Sequence, residues 1–399
     1  MGEREEALRA VEIPGRGRAL VASQPLRGGQ IVLKDSPILV YSALPLILAS
    51  PSSSSYCAHC FRTLPLPLPS APQPLPTCPN CCSERFCNHN CLSAASTSTH
   101  SPWLCQSLLR LRHHSSSLSP EQQLQARFLL AAHNLANLSS PHFQILLSLQ
   151  GQSEPDSTAA AQFIYSLISS VCLPPASGWF SLELSAALLA KDKLNAFGLM
   201  EPFSESAPRS VRAYGIYPKA SLFNHDCLPN ACRFDYVDFP SGENNNIDII
   251  VRMIHDVPQG REVCLSYFPV NENYPSRQKR LREDYGFACD CDRCKVEAQW
   301  SDHEGEEEQD HGEEEEEEEE LMDEDIDQTM GSSAEPEGES EFDFPHAYFF
   351  VRYMCDRNNC WGTLAPPPPS AANSKSNVME CNVCGNLKND DQQLSMDDA

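Results

Sequence analysis

The chain contains no run of 18 or more apolar residues, so nothing in it is expected to span a membrane. Its opening, MGEREEALRA, is charged and has no apolar stretch, which excludes a secretory signal, and Glu6 stands where a myristoylation motif after Gly2 needs Ser or Thr. Positive charge is scarce, with 29 Lys and Arg against 55 Asp and Glu, so no direct sequence-specific nucleic-acid partner is expected. The acidity is local. Residues Glu304 to Asp343 hold 22 of the acidic residues and no Lys or Arg, which leaves the rest of the chain near about −4. There is no GxGxxG, no P-loop and no Ser-His-Asp order, which sets aside a Rossmann-type cofactor site, a nucleotide cradle and a hydrolase triad.

Cysteine, by contrast, is abundant at 19. Without a signal segment, these residues point to metal in a reducing compartment, nucleus and/or cytoplasm, and not to disulfides. Between residues 57 and 105 four ligand pairs follow one another: Cys57 and Cys60, Cys78 and Cys81, Cys87 and Cys91, His100 and Cys105. Eight ligands make two tetrahedral zinc sites. In an interleaved arrangement Cys57, Cys60, Cys87 and Cys91 hold one ion, and Cys78, Cys81, His100 and Cys105 the other. Cys82 beside Cys81 leaves one thiolate assignment open. A segment this small and broken by proline cannot build its own core, so metal supplies its folding energy.

Two further clusters follow. Cys289, Cys291 and Cys294 in CDCDRC are one ligand short of a closed site, and Cys227 in SLFNHDCLPN is the candidate fourth. The bland alternative is three reduced thiols and a buried Cys227. Cys355 and Cys360 with Cys381 and Cys384 have the two-knuckle form of a zinc ribbon. That leaves Cys82, Cys172, Cys232 and Cys264, read as small apolar fillers.

Between these clusters, residues 11 to 42 mix β-branched runs with Gly and Pro, the pattern of short strands and tight turns. The alternate prolines of LPLPLPSAPQPLP make a loop inside the cysteine-rich stretch. At Ser119 the texture turns helical, with Ser119 as N-cap, Pro120 at the first position and Gln122 closing a capping box. Helical spacing recurs over Thr158 to Val171 and Ser181 to Leu194. Strand-like runs return at IDIIVRMI and EVCLSYF. The acidic stretch reads as an unfolded linker, and Pro366 to Pro369 as a stiff loop.

In order, GRGRAL, the Cys/His finger, the helical block, NHDCLPN, GREVCLSYF and YGFACDCDRC resemble the SET-domain protein-lysine methyltransferases whose SET domain is interrupted by a MYND zinc finger, the SMYD type, and among them a plant-like member. The resemblance covers nearly the whole chain up to Lys295. It implies an α+β protein: a β-rich SET fold with a pseudoknot, interrupted by a zinc-stabilised MYND finger and a helical insert, plus a C-terminal zinc ribbon-like segment. The expected units are a SET N-terminal part (1–50), the finger (55–106), the helical insert (118–200), the SET C-terminal part (201–270), a post-SET zinc segment (271–298), the acidic linker (301–343) and the ribbon-like module (346–386). The long helical C-terminal domain of the best-known animal members has no counterpart here.

The same resemblance implies the site. S-adenosylmethionine would be bound by Gly15, Arg16, Gly17, Asn195, Asn224, His225, Tyr267 and Phe287, much of it through backbone groups. Tyr267 would be the active-site tyrosine, with Tyr285 and Phe287 lining the lysine channel, Ser221 and Phe223 as wall residues, and the Cys227 zinc closing that channel. Taken alone, GRG is a turn, Asn195 a helix end and each aromatic a core residue. The implied activity is S-adenosylmethionine-dependent lysine N-methylation of a histone or non-histone protein. A decayed SET body acting as a MYND adaptor for proline-rich partners is the alternative. The zinc count is two in the finger, one post-SET and one in the C-terminal module, and a monomer is expected.

Overall fold

Side chains alternate across a strand, so Leu8, Leu20 and Ala22 in the opening hairpin fall on one buried face. That hairpin pairs β1 (Leu8–Ile13) with β2 (Gly17–Ala22), Ile13 opposite Gly17 at the turn. Gly15 and Gly17 have φ of +77° and +71°, a backbone conformation in which a side chain is strained and glycine is not. The computed structural model describes residues 6–46, 55–65, 74–151, 155–175, 178–238, 245–304, 346–369 and 377–389. The acidic tract expected as a linker lies outside the described residues from 305 onward, as does the middle of the proline-rich loop.

Two three-stranded antiparallel sheets carry the body. One orders β3 (Ile31–Asp35), β9 (Ile249–Met253) and β8 (Ala231–Phe234); the other orders β4 (Leu39–Ser42), β6 (Val211–Ile216) and β5 (Ala196–Met200). The two-residue period of β4 divides its side chains between cores. Leu39 and Tyr41 pack with the helices, whereas Val40 packs with the strands. The expected strand at EVCLSYF is short: β10 is Cys264–Leu265, paired in parallel with β7, Asn224–His225.

The helical block is built from α3 (Pro120–Leu138), α4 (Ser140–Ser148), α5 (Pro155–Val171) and α6 (Leu182–Asn195). Ser119 and Gln122 form the expected capping box, Ser119 N–H donating to Gln122 Oε1 at 2.9 Å and Gln122 N–H to Ser119 Oγ at 3.2 Å. Phe128, Leu129, Leu130, Ile164, Ile168 and Leu188 make its dry interior. Two helices in the cysteine-rich region had no clear signal in the sequence: α1 (His89–Ser96) and α2 (Pro102–Arg112), the latter running past residue 106. The finger is tied to the sheets by the fully buried Arg212, which donates to Phe61 O at 2.7 Å and pairs with Asp238 at 3.1 Å. One cysteine departs from expectation. Cys82 is exposed at φ +53°, a turn residue and not an apolar filler.

Where α6 meets β4, the Tyr41 hydroxyl donates to both Asp192 carboxylate oxygens at 2.8 Å. Burial pushes the Asp192 pKa up to about 7, against the lowering effect of that hydroxyl. The folded chain therefore binds a proton here more readily than the unfolded chain, whose carboxyl titrates near about 4. The sign follows: this contribution is full below the unfolded value and is lost as pH rises through about 7. Denaturation of the wild type and Asp192→Asn should give a stability difference that shifts toward the variant between about pH 4 and 7 and is level above it. A difference independent of pH would contradict the assignment.

The C-terminal module joins a helix, His346–Tyr353, to a sheet of β11 (Leu364–Ala365), β12 (Val378–Cys381) and β13 (Leu387–Asn389). It is fastened to β9 through Arg252, whose side chain is 1% exposed, pairs with Glu380 at 2.9 Å and lies over the Phe234 ring at 3.6 Å.

Candidate active site

The β7–β10 pairing brings together two stretches 40 residues apart, and side chains lock the crossing. Asp226 N–H donates to Leu265 O at 3.0 Å, and Asn230 bridges Glu262 O at 2.8 Å and Cys264 N–H at 2.9 Å. This explains the Asn-His and Pro-Asn of the sequence. Pro229 lies between β7 and β8, and Asn230 after it supplies both a donor and an acceptor to the chain around β10.

Tyr267 follows β10. Its hydroxyl donates to Phe223 O at 2.9 Å and its ring centroid lies 4.8 Å from that of Tyr285. Burial, then the neighbouring Tyr285, raise the Tyr267 pKa well above the ordinary tyrosine value, so the phenol keeps its proton. Tyr285 ends a π-helical turn, Leu281–Tyr285, that continues α7 (Tyr274–Arg280). Gly286, at φ +78°, is the left-handed stop for that turn. Phe287 lies beyond it, its ring centroid 6.4 Å from His225 and 38% of its surface exposed.

A cavity of about 500 Å³ is lined by Tyr267, Tyr285, Ser221, Phe223, Leu265 and Phe197 among others. Phe287 does not line it. The two predicted wall residues, Ser221 and Phe223, do, and Phe223 contributes the carbonyl that positions Tyr267, a backbone role no side-chain pattern signals.

His225 joins this pocket to the cysteines. Tyr267 N–H donates to its Nδ1 at 3.2 Å, so the remaining ring proton belongs on Nε2, which faces Cys227 Sγ at 3.3 Å. Burial holds the His225 pKa down to about 3, against the Cys291 thiolate, leaving a neutral imidazole.

On the other side of β7, the Arg16 guanidinium donates to His225 O at 2.9 Å and pairs with Glu262 at 3.1 Å. Asn224 Nδ2 donates to Glu262 Oε1 at 2.8 Å and approaches Arg16 O at 3.5 Å. Asn195, at the end of α6, gives its amide to Gln150 O at 2.8 Å and Lys191 O at 2.7 Å, and a Cβ added at Gly17 would meet Gln150 Nε2 at 3.5 Å. Arg16 and Asn224 thus tie the glycine turn to β7, while Asn195 fixes the end of α6 to the backbone at Gln150. What this corner offers a ligand is backbone, and a Cβ at Gly15 would meet no atom within 4 Å. Glu262, which joins Arg16 to Asn224, was legible only as a charged residue ahead of a buried strand.

The cysteines converge as their spacing requires. Ligand atoms lie within 4.8 Å of one another in four sets: Cys57, Cys60, Cys87 and Cys91; Cys78, Cys81, His100 and Cys105; Cys227, Cys289, Cys291 and Cys294; Cys355, Cys360, Cys381 and Cys384. Thiolates around one tetrahedral zinc, each about 2.3 Å from the metal, stand about 3.8 Å apart. The sulfurs obey this: Cys60 to Cys87 3.8 Å, Cys78 to Cys105 3.7 Å, Cys227 to Cys294 3.5 Å, Cys360 to Cys381 3.6 Å. All are free of disulfides. The Cys227 set has a cationic neighbour that sequence reading missed. Arg277, fully buried, donates to Cys227 Sγ at 3.3 Å, Cys294 Sγ at 3.7 Å and Glu297 at 2.7 Å. Its place within the polar PSRQKR run gave no sign of burial.

A SET-domain profile matches residues 142–268. The chain is 57% identical to histone-lysine N-methyltransferase ASHR2 of Arabidopsis thaliana, over 97% of this chain and 96% of that protein. It is 22% identical to histone-lysine N-methyltransferase SMYD3 of Homo sapiens, over 72% of this chain and 61% of that one. Among solved structures, the SET domain of LSMT bound to lysine and AdoHcy covers 73% of this chain and 54% of its own, at 13% identity and a TM-score of 0.34. With a relative of that identity along nearly its whole length, and with the interlocked strands, finger and cysteine sets in place, the chain belongs to the SET-domain protein-lysine N-methyltransferases of the SMYD type.

Proposed function

We propose that this chain methylates the ε-amine of lysine in protein substrates, histones among them, and that the Tyr267 pocket is where it does so. The observation that supports this most is the Tyr267 hydroxyl, fixed on Phe223 O at 2.9 Å at the head of an aromatic cavity. Because its proton is committed to that carbonyl, the phenol oxygen is left to accept from an entering amine. It thereby sets the direction of the nitrogen lone pair.

A free lysine, with a pKa of about 10.4, is mostly charged at neutral pH, and a neutral nitrogen is what reacts. Entry between the Tyr267, Tyr285 and Phe223 rings strips water from the ammonium and lowers that pKa, so the amine sheds its proton to solvent on the way in. S-adenosylmethionine, when bound, supplies a methyl group on a sulfonium. The backbone of Gly15, Arg16, Gly17, Asn224 and His225 would hold it, with Asn195 bracing the turn through Gln150. Phe287, outside the cavity lining, would lie on the cofactor side of His225.

The four cysteine-rich sets would each hold one zinc. Three of them are structural, and the Cys227 set also clamps Tyr285 and Phe287 against β7. The test uses full-length, zinc-loaded protein. It should bind S-adenosylmethionine, carry about four zinc ions and transfer methyl groups to a histone mixture. Calorimetry that detects no cofactor binding would leave the adaptor reading in its place.

A further inference from the structure

The cavity that begins at Tyr267 and Tyr285 ends on the C-terminal module, whose Trp361, Thr363, Asn382 and Val383 form its outer wall. Trp361 keeps 53% of its surface exposed. An indole left open beside a cleft is the residue type that anchors bound peptide segments. The wall is rigidly placed. Besides the buried Arg252–Glu380 pair, Asn382 Nδ2 donates to Arg233 O at 2.9 Å, and Thr363 N–H donates to Asn382 Oδ1 at 2.8 Å.

Charge is unequal around the same cavity. Lys193, Arg209, Arg233 and Arg280 line it, against the single carboxylate of Asp235. Arg233 is matched by Asp235 at 2.6 Å, and Arg280 by Glu272 at 2.6 Å. Among the described residues, Lys193 and Arg209 have no carboxylate at ion-pair distance. Each donates to a carbonyl instead, Lys193 to Glu283 O at 2.9 Å and Arg209 to Glu201 O at 2.8 Å. Burial lowers the Arg209 pKa, with Asp235, Cys360 and Cys381 working to raise it. Two unmatched positive charges over an apolar floor favour an anionic occupant and repel a cationic one.

Resting on the methyltransferase reading above, we propose that the C-terminal module is the substrate wall of this enzyme, with Trp361 packing on a residue beside the target lysine and Arg209 and Lys193 selecting acidic neighbours. The preferred substrate is a protein segment with Glu or Asp flanking its lysine. Stretches dense in Lys and Arg are disfavoured, including the most basic parts of histone tails.

Two fluorescent peptides that differ only in carrying Glu or Arg around a single lysine test this. Their binding to full-length protein saturated with S-adenosylhomocysteine is read by anisotropy, and their methylation by methyl incorporation. The Glu peptide should bind and react at least about tenfold better, with the preference shrinking as salt rises. Trp361→Ala should weaken the Glu peptide by about thirtyfold while leaving S-adenosylhomocysteine affinity unchanged, as expected for loss of an aromatic anchor. Arg209→Gln should narrow the gap between the peptides. Equal binding of the two peptides, a preference for Arg, or full affinity in Trp361→Ala would each overturn the proposal. Failure of the wild type to bind S-adenosylhomocysteine would instead strike at the methyltransferase reading.

Discussion

Replacing Tyr267 with phenylalanine should lower kcat by about 10²–10³-fold, the scale of losing one positioned polar group from a water-poor site. The substitution removes a single oxygen. The ring, its 4.8 Å contact with Tyr285 and the His225 hydrogen bond from the Tyr267 backbone all remain. Cofactor affinity should therefore hold within about threefold, since the hydroxyl's own bond is to Phe223 O. Leaving that carbonyl unpaired should cost about 1–3 kcal/mol of stability, a separate and measurable effect. Single-turnover methyl transfer, paired with cofactor titration, distinguishes the two. A variant within threefold of wild-type kcat would remove Tyr267 from the chemistry.

The second large effect is expected at the Cys227 set. Cys294→Ser should lower the zinc content by about one ion per chain and bring methyl transfer close to background, while the finger keeps its metal. The loss spreads through two neighbours. Arg277 donates to both Cys227 and Cys294, so a missing thiolate removes one negative partner from a fully buried guanidinium that keeps Glu297, a loss of about 1–3 kcal/mol. His225 faces Cys227 with one ring nitrogen and holds the Tyr267 backbone with the other, so a displaced sulfur is felt at Tyr267 within two hydrogen bonds. Arg277→Met is the informative companion. It should keep its zinc yet lower the melting temperature, separating metal binding from charge compensation. A Cys294→Ser protein with full zinc and full turnover would show that the set is not a metal clamp.

Metal ligation was the most legible layer, because tetrahedral zinc fixes both ligand number and spacing. Even the fourth partner of the Cys289 trio, Cys227, was identifiable by counting. Helix starts were readable for the same local reason: Ser119 and Gln122 cap α3 within four residues of sequence. Less legible were contacts whose partners are far apart and chemically ordinary. Nothing in PSRQKR signals that Arg277 is the buried one, and nothing in NCWGTL signals that Trp361 faces a pocket begun more than 90 residues earlier. Arg16, Asn195 and Asn224 were legible as positions, but their side chains turn out to reach backbone carbonyls and, for Asn224, the Glu262 carboxylate, partners that depend on which groups the fold brings near. Cys82 was misread because a turn with positive φ leaves no mark when the residue is not glycine.

The two-residue parallel pairing of β7 with β10 also bears on how the enzyme is made. Its two halves leave the ribosome about 40 residues apart, and three of the four sulfurs that secure them come later still, ending at Cys294. A nascent chain can fold its finger and helices early, yet it stays catalytically silent until those last thiols emerge. Products of translation that stop short of Cys294 should therefore lack a complete clamp, and with it methylating activity.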